Sequence, residues 1–218
     1  MLNILMLLIM MGLDIMYIMT KSLFCKTLAS TIFVTIGLIN FNICIKNKND
    51  LSFPFWMMTG IIYTLVADVL LEIQFLTGAI FFGISHICFF ISYAKLHKIK
   101  LLDFKFGFSI AMIIMIPLVL IINYNNPVGL VMLSVGLLYV VIISCMFGKS
   151  ISNFLTAKNE TNKILVTGAT LYFISEISLI LNLFGGYRIF KYPNLILYYL
   201  AVFLLAMSMR KYASDTIS

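Results

Sequence analysis

Long apolar stretches separated by short polar breaks run from one end of the chain to the other. The stretches cover about 2–20, 27–45, 53–73, 76–95, 106–123, 128–147, 163–185 and 190–209. Each approaches the roughly 20 residues that a helix needs to cross about 30 Å of hydrocarbon. The breaks differ in chemistry. KNKND (46–50) is charged and KLHKIK (95–100) is basic, while NYNNP (123–127) collects turn formers. The longest break opens at GKS (148–150) and runs to Lys163, and FGGYR (184–188) separates the last two stretches. Backbone polar groups in lipid must be satisfied within the segment, so apolar runs of this length are helices. The pattern predicts an all-α, polytopic membrane protein. It is a single bundle of about eight transmembrane helices over residues 1–218, with essentially no extramembrane domain.

Composition strengthens that picture. The chain is 62% hydrophobic and only 11% charged, with a mean hydropathy of +1.09, which excludes an ordinary soluble domain. The net charge is +7, but the basic residues are scattered through short loops, so no nucleic-acid face is expected. Lys46, Lys48, Lys95, Lys98, Lys100, Lys105, Lys149, Lys158, Lys163, Arg210 and Lys211 fall on one side of the eight spans. Lys21, Lys26, Arg188 and Lys191 fall on the other. The positive-inside rule then puts both termini in the cytoplasm. The first stretch has neither a basic n-region nor a small-residue cleavage site and reads as a retained span. A bias towards Ile, Asn and Lys suggests an AT-rich genome and a bacterial cytoplasmic membrane.

Chemistry enters with the polar residues inside the spans. Asp68, Glu72 and His86 lie within the apolar stretch 63–90, and Asp14 and Glu176 lie in the first and seventh spans. A carboxylate at the centre of a membrane helix costs about 2.5–3.5 kcal/mol even on the mildest scale, and such residues mark sites by default. The bland alternative for Asp68 and Glu176 is a helix–helix hydrogen bond. Aligning ADVLLEIQFLTG (67–78) with SEISLILNLFGG (175–186) sets Asp68 on Glu176, Leu71 on Leu179, Gln74 on Asn182 and Gly78 on Gly186. The offset, near half the chain length, allows two four-helix halves in parallel orientation. Whether or not the repeat is real, both acids sit on spans of the same direction at matching depth. Their carboxyls are therefore expected to face one cavity.

His86, near the middle of span four, is expected to line that cavity a turn or two deeper than Asp68. Asp14 is placed near the outer end of span one, with function and interfacial packing equally open, and Glu72 is placed at the rim. Ser175 is either a hydrogen-bonding neighbour of Glu176 or a small packing residue. Tyr198 or Tyr199, and Tyr139, lie too deep to be interfacial belt residues and are expected to contribute to the cavity. Asn40 and Asn42 read as interhelical glue. The four cysteines, Cys25, Cys44, Cys88 and Cys145, share no pair spacing. No GxSxG, Walker loop, HExxH or CxxC occurs, no metal-ligand spacing surrounds His86, and no cofactor is expected. Buried acids with a histidine suit either an acid/base hydrolase or a proton relay in a coupled transporter or lipid-binding protein.

The segments ADVLLEIQFLTGAIFFGISH, GATLYFISEISLILNLF and YYLA, in this order, resemble the YhhN family of eight-span membrane proteins. Asp68, Leu71, Phe75, Gly78 and His86 match the family's pattern in spans three and four. Gly168, Ala169, Phe173, Ser175 and Phe184 match it in span seven, and Tyr198 with Ala201 match it in span eight. Three positions depart: Ala67 stands for Gly, Glu176 for Asp and Val202 for Gln. The resemblance covers about residues 55–205. It implies a lysoplasmalogenase, which hydrolyses the vinyl ether of a lysophospholipid taken from the bilayer. In that role Asp68 and Glu176 are the catalytic carboxyls and His86 assists proton transfer. Ser175, Tyr198, Tyr139, Asp14 and Arg188 are then candidates for contacting the substrate.

Overall fold

The computed structural model describes residues 2–47, 49–125, 130–183 and 185–215. Its elements are α1 (Leu2–Thr20), α2 (Leu23–Lys46), α3 (Ser52–Ile73), α4 (Phe75–Leu96), α5 (Leu101–Asn125), α6 (Leu130–Thr156), α7 (Glu160–Leu183) and α8 (Lys191–Asp215). A short 3-10 turn, Arg188–Phe190, precedes α8. The protein is thus an all-helical membrane bundle, as the hydropathy pattern predicts. Among the described residues, seven of these helices are long and apolar enough to cross a membrane. Lys48, Phe184 and Pro127 lie outside the described residues.

Consecutive helices pack as hairpins: α1 on α2, α3 on α4, α5 on α6 and α7 on α8. Further contacts of α2 with α3 and α8, α4 with α6, and α6 with α7 close a ring in the order α2, α3, α4, α6, α7, α8. Within this ring α3 also touches α8. Helix α1 lies outside against α2 and α8, and α5 lies outside against α6. Advancing each member of the ring by four helices reproduces its order. That is the arrangement two four-helix halves would give, and it sets α3 opposite α7. Many large apolar side chains of α1 and α5, such as Leu8, Met19, Leu101 and Ile113, point outward, where a bilayer would cover them.

The helices overrun their apolar stretches, so the breaks are shorter than hydropathy suggests. The expected long break after GKS is the clearest correction. Helix α6 continues to Thr156 and α7 begins at Glu160. Lys149 is therefore a buried helical residue, with its ammonium 2.8 Å from Asp103 in the first turn of α5. Lys26 is likewise not a loop residue, because α2 starts at Leu23 and buries it. A charge ends a hydropathy window, but it does not end a helix when a counter-ion is packed beside it.

The hairpin α3–α4 turns on the single residue Gln74. So tight a turn needs Gly78, where an added Cβ would sit 2.5 Å from the Leu71 backbone. After α7 the chain reverses through Gly186, whose φ of 75° favours glycine.

The end of the bundle that carries both termini is fastened by side chains. Asn40 donates to the Ala206 carbonyl at 3.1 Å, and Asn3 donates to Asn40. Ser92 donates to the Phe53 carbonyl at 2.9 Å, and Asn153 to the Tyr93 carbonyl at 2.8 Å. Asn40 is thus glue between α2 and α8, as expected. The four cysteines are free thiols.

Candidate active site

The opposite end of the bundle is open. A cavity of about 210 Å³ descends there among α1, α2, α3, α4, α7 and α8. Asp68 and Glu176 both line it, although only 2% and 4% of their surfaces remain exposed. The two helices present equivalent positions of the internal alignment. Asp68, Leu71 and Phe75 of the α3–α4 hairpin face Glu176, Leu179 and Leu183 of α7. Spacings of three and four residues keep Glu176, Leu179 and Leu183 on one face of α7 and Asp68 and Leu71 on one face of α3, while Phe75 opens α4 just past the turn at Gln74. The two acids lie within electrostatic reach of each other.

Their surroundings differ. Two hydroxyls converge on one oxygen of Asp68: Ser30 of α2 donates to Oδ2 at 2.5 Å, and Tyr198 of α8 donates to the same atom at 2.6 Å. Glu176 has Tyr139 of α6 beside it, but that hydroxyl makes no hydrogen bond of good geometry. Of the tyrosines expected to contribute, Tyr198 lines the cavity, whereas Tyr139 and Tyr199 lie behind its wall.

His86 departs from expectation, since it does not line the cavity. Phe82, one turn nearer the mouth on the same face of α4, takes that place. The imidazole is fully buried, and its ring centroid lies 4.7 Å from that of Tyr172, which in turn lies 5.5 Å from that of Tyr198. Nδ1 is 2.6 Å from the Phe82 carbonyl. A carbonyl only accepts, so Nδ1 carries the hydrogen, and Nε2 has no partner. His86 therefore reaches Asp68 only through two tyrosine rings. The sequence places the residue on the correct face, but it cannot show that Tyr172 fills the space between.

Asp14 is also inside rather than at the interface. It is fully buried, neither of its oxygens has a hydrogen-bond partner, and it lies within electrostatic reach of Asp68. Ser175 faces α8: its Oγ donates to the Asn194 carbonyl at 2.8 Å, and Asn194 Nδ2 donates back to the Ser175 carbonyl at 3.0 Å. Arg188 sits in the 3-10 turn, away from the lining, while Lys191 lines it. Glu72 is at the rim, as expected, and accepts from Lys26 at 2.8 Å and from Tyr17 at 2.5 Å.

Ser30, Tyr17, Lys26 and Asn194 are the functional neighbours that sequence reasoning misses. Ser30 stands in a run of hydroxyl residues in α2, and Thr31 and Thr35 there merely bond back to their own helix. Nothing in the spacing distinguishes it from them. Among the described residues no three His, Cys, Asp or Glu side chains converge as a metal-ligand set.

No curated protein and no solved structure matches the chain. The model of the YhhN family, in contrast, matches residues 4–209. That span takes in α2 to α7 whole, together with most of α1 and α8, and all the cavity residues, and the chain belongs to the YhhN family.

Proposed function

We propose that the protein is an intramembrane hydrolase that cleaves the vinyl ether of a lysoplasmalogen, giving a fatty aldehyde and a glycerophospho-alcohol. The observation that carries this reading is the pair Asp68 and Glu176, presented from opposite helices into one cavity. Membership of a family associated with this reaction supports it.

Hydrolysis of a vinyl ether begins with proton transfer to the alkene carbon remote from oxygen, which leaves an oxocarbenium ion. Water adds to the cationic carbon, and the hemiacetal collapses to aldehyde and alcohol. The site needs one carboxylic acid and one carboxylate, the division of labour that paired acids perform in glycosidases. Two hydroxyl donors on Asp68 Oδ2 suit the ionised partner, which faces the cation and then takes a proton from water. Glu176 lacks such donors and is assigned the proton that starts the reaction. The two tyrosine rings between His86 and Asp68 limit the imidazole to indirect support.

The test is aldehyde release from lysoplasmenyl-ethanolamine by the purified protein in detergent. Wild type should release aldehyde, and Asp68→Asn and Glu176→Gln proteins of wild-type thermal stability should not. Wild-type turnover in both variants would sink the proposal. Proton-driven uptake into vesicles without aldehyde would point instead to a transporter.

A further inference from the structure

The mouth of the cavity is cationic, which acid catalysis alone does not require. Lys21, Lys26 and Lys191 all line it. Lys26 and Lys21 both approach the Tyr17 ring, with ammonium groups 5.3 and 5.4 Å from its centroid. The three cations are not equivalent. Lys26 is committed, because it and Tyr17 share one oxygen of Glu72. Among the described residues neither Lys21 nor Lys191 has a carboxylate within ion-pair distance. The Lys191 amine beside Lys21, together with partial burial, holds Lys21 below the ordinary lysine range. Two neighbouring ammonium groups repel, and an anion between them would remove that cost.

The backbone adds a second, independent observation. Lys21 has a φ of 57° and is the one non-glycine residue among those described with positive φ. It ends α1, donating its N–H to the Tyr17 carbonyl at 2.8 Å. Glycine or asparagine usually fills such a position, and a larger residue there is strained. The fold bears this strain while holding a lysine over the cavity mouth.

From this geometry we infer that Lys21 and Lys191 form a phosphate-binding site, which grips the head-group phosphate of a lysophospholipid whose ether lies between Asp68 and Glu176. The inference rests on the proposed function for the identity of the lipid. Spacing along the helices supports it. Lys191 precedes Tyr198 by seven residues on α8, so its backbone stands about 10 Å above one of the two groups that hold Asp68. Six bonds join the phosphorus of a lysoplasmalogen to its ether-bearing vinyl carbon, an extended reach of about 7 Å. A phosphate held at the mouth therefore brings the vinyl ether to the acids.

The test separates binding from catalysis by using a saturated 1-O-alkyl lysophosphatidylethanolamine, which has no vinyl ether to hydrolyse. Its affinity for the full-length protein in detergent is measured beside that of 1-O-alkylglycerol, which lacks the phosphate, and with inorganic phosphate as competitor. Wild type should bind the lysophospholipid about tenfold or more tightly than the alkylglycerol. The K21Q/K191Q protein should lose that margin while binding alkylglycerol unchanged. K21R/K191R should restore it, and K163Q, at the far end of the bundle, should leave it intact. Equal binding of both ligands by wild type would overturn the site, as would an undiminished margin in a folded K21Q/K191Q protein. Inorganic phosphate binding as tightly as the lysophospholipid would overturn its assignment to a lipid. Failure to release aldehyde in the preceding assay would remove the proposed reaction but not the phosphate site, which these binding measurements decide on their own.

Discussion

The two ends of the bundle each set a buried lysine against a carboxylate, and they use the pair differently. At the end carrying the termini, Lys149 and Asp103 are sealed, with side chains 1% and 0% exposed. Each has a further partner: Lys149 donates to the Lys98 carbonyl at 3.1 Å, and Asp103 accepts the Lys100 backbone N–H at 2.8 Å. At the other end Lys26 is as buried, but Glu72 is 32% exposed at a cavity rim. Acids without cationic partners, Asp14, Asp68 and Glu176, lie beneath it. A sealed pair in which each charge has its counter-ion and a further backbone partner joins helices. An open mouth with surplus cations above surplus acids can take a ligand. Buried charge alone does not tell the two apart; the balance of partners does.

Substitution should expose the contrast most strongly at the acids. Asp68→Asn and Glu176→Gln are each expected to reduce aldehyde release by about a thousandfold, near 4 kcal/mol of transition-state stabilisation, with little change in melting temperature. At the sealed end the effects should be reversed. Lys149→Met leaves Asp103 buried without its cation and should cost about 3–5 kcal/mol of stability, whereas Lys149→Met with Asp103→Leu should recover most of it. Turnover per folded molecule should hardly change. A catalytic defect in a stable Lys149→Met protein would erase the distinction between the two ends. Tyr198→Phe lies between these extremes: it removes one of the two donors to Asp68 and should lower kcat about tenfold, through a lost charge-assisted hydrogen bond.

Much of this architecture is legible in the chain, for physical reasons that also limit the reading. Hydrocarbon thickness fixes the number and direction of the apolar runs, so the eight helices and the shared depth of Asp68 and Glu176 follow. Helix ends do not follow, because they depend on partners distant in sequence. Lys149 stays helical because Asp103 is packed beside it, and Lys26 because Glu72 is. The acids are conspicuous against an apolar background, whereas Ser30 is a hydroxyl among hydroxyls in α2. His86 shows the same limit in depth. Periodicity puts it on the correct face of α4, but the wall of Tyr172 and Tyr198 that screens it is built by α7 and α8.

The smallest expected effect is the sharpest version of the comparison, because it sets two adjacent residues against each other. Ser175 and Glu176 are neighbours on α7, yet they point in different directions. Glu176 lines the cavity, and Ser175 exchanges hydrogen bonds with Asn194 of α8. Ser175→Ala removes the donor to the Asn194 carbonyl and leaves the bond from Asn194 to the Ser175 carbonyl in place. The loss should be about 0.5–1 kcal/mol of stability, with kcat within about threefold of wild type, beside the near-complete loss expected of Glu176→Gln. Thermal unfolding and aldehyde release measured on both proteins decide the matter. A Ser175→Ala protein as inactive as Glu176→Gln would mean that the serine serves the carboxyl beside it rather than the helix opposite.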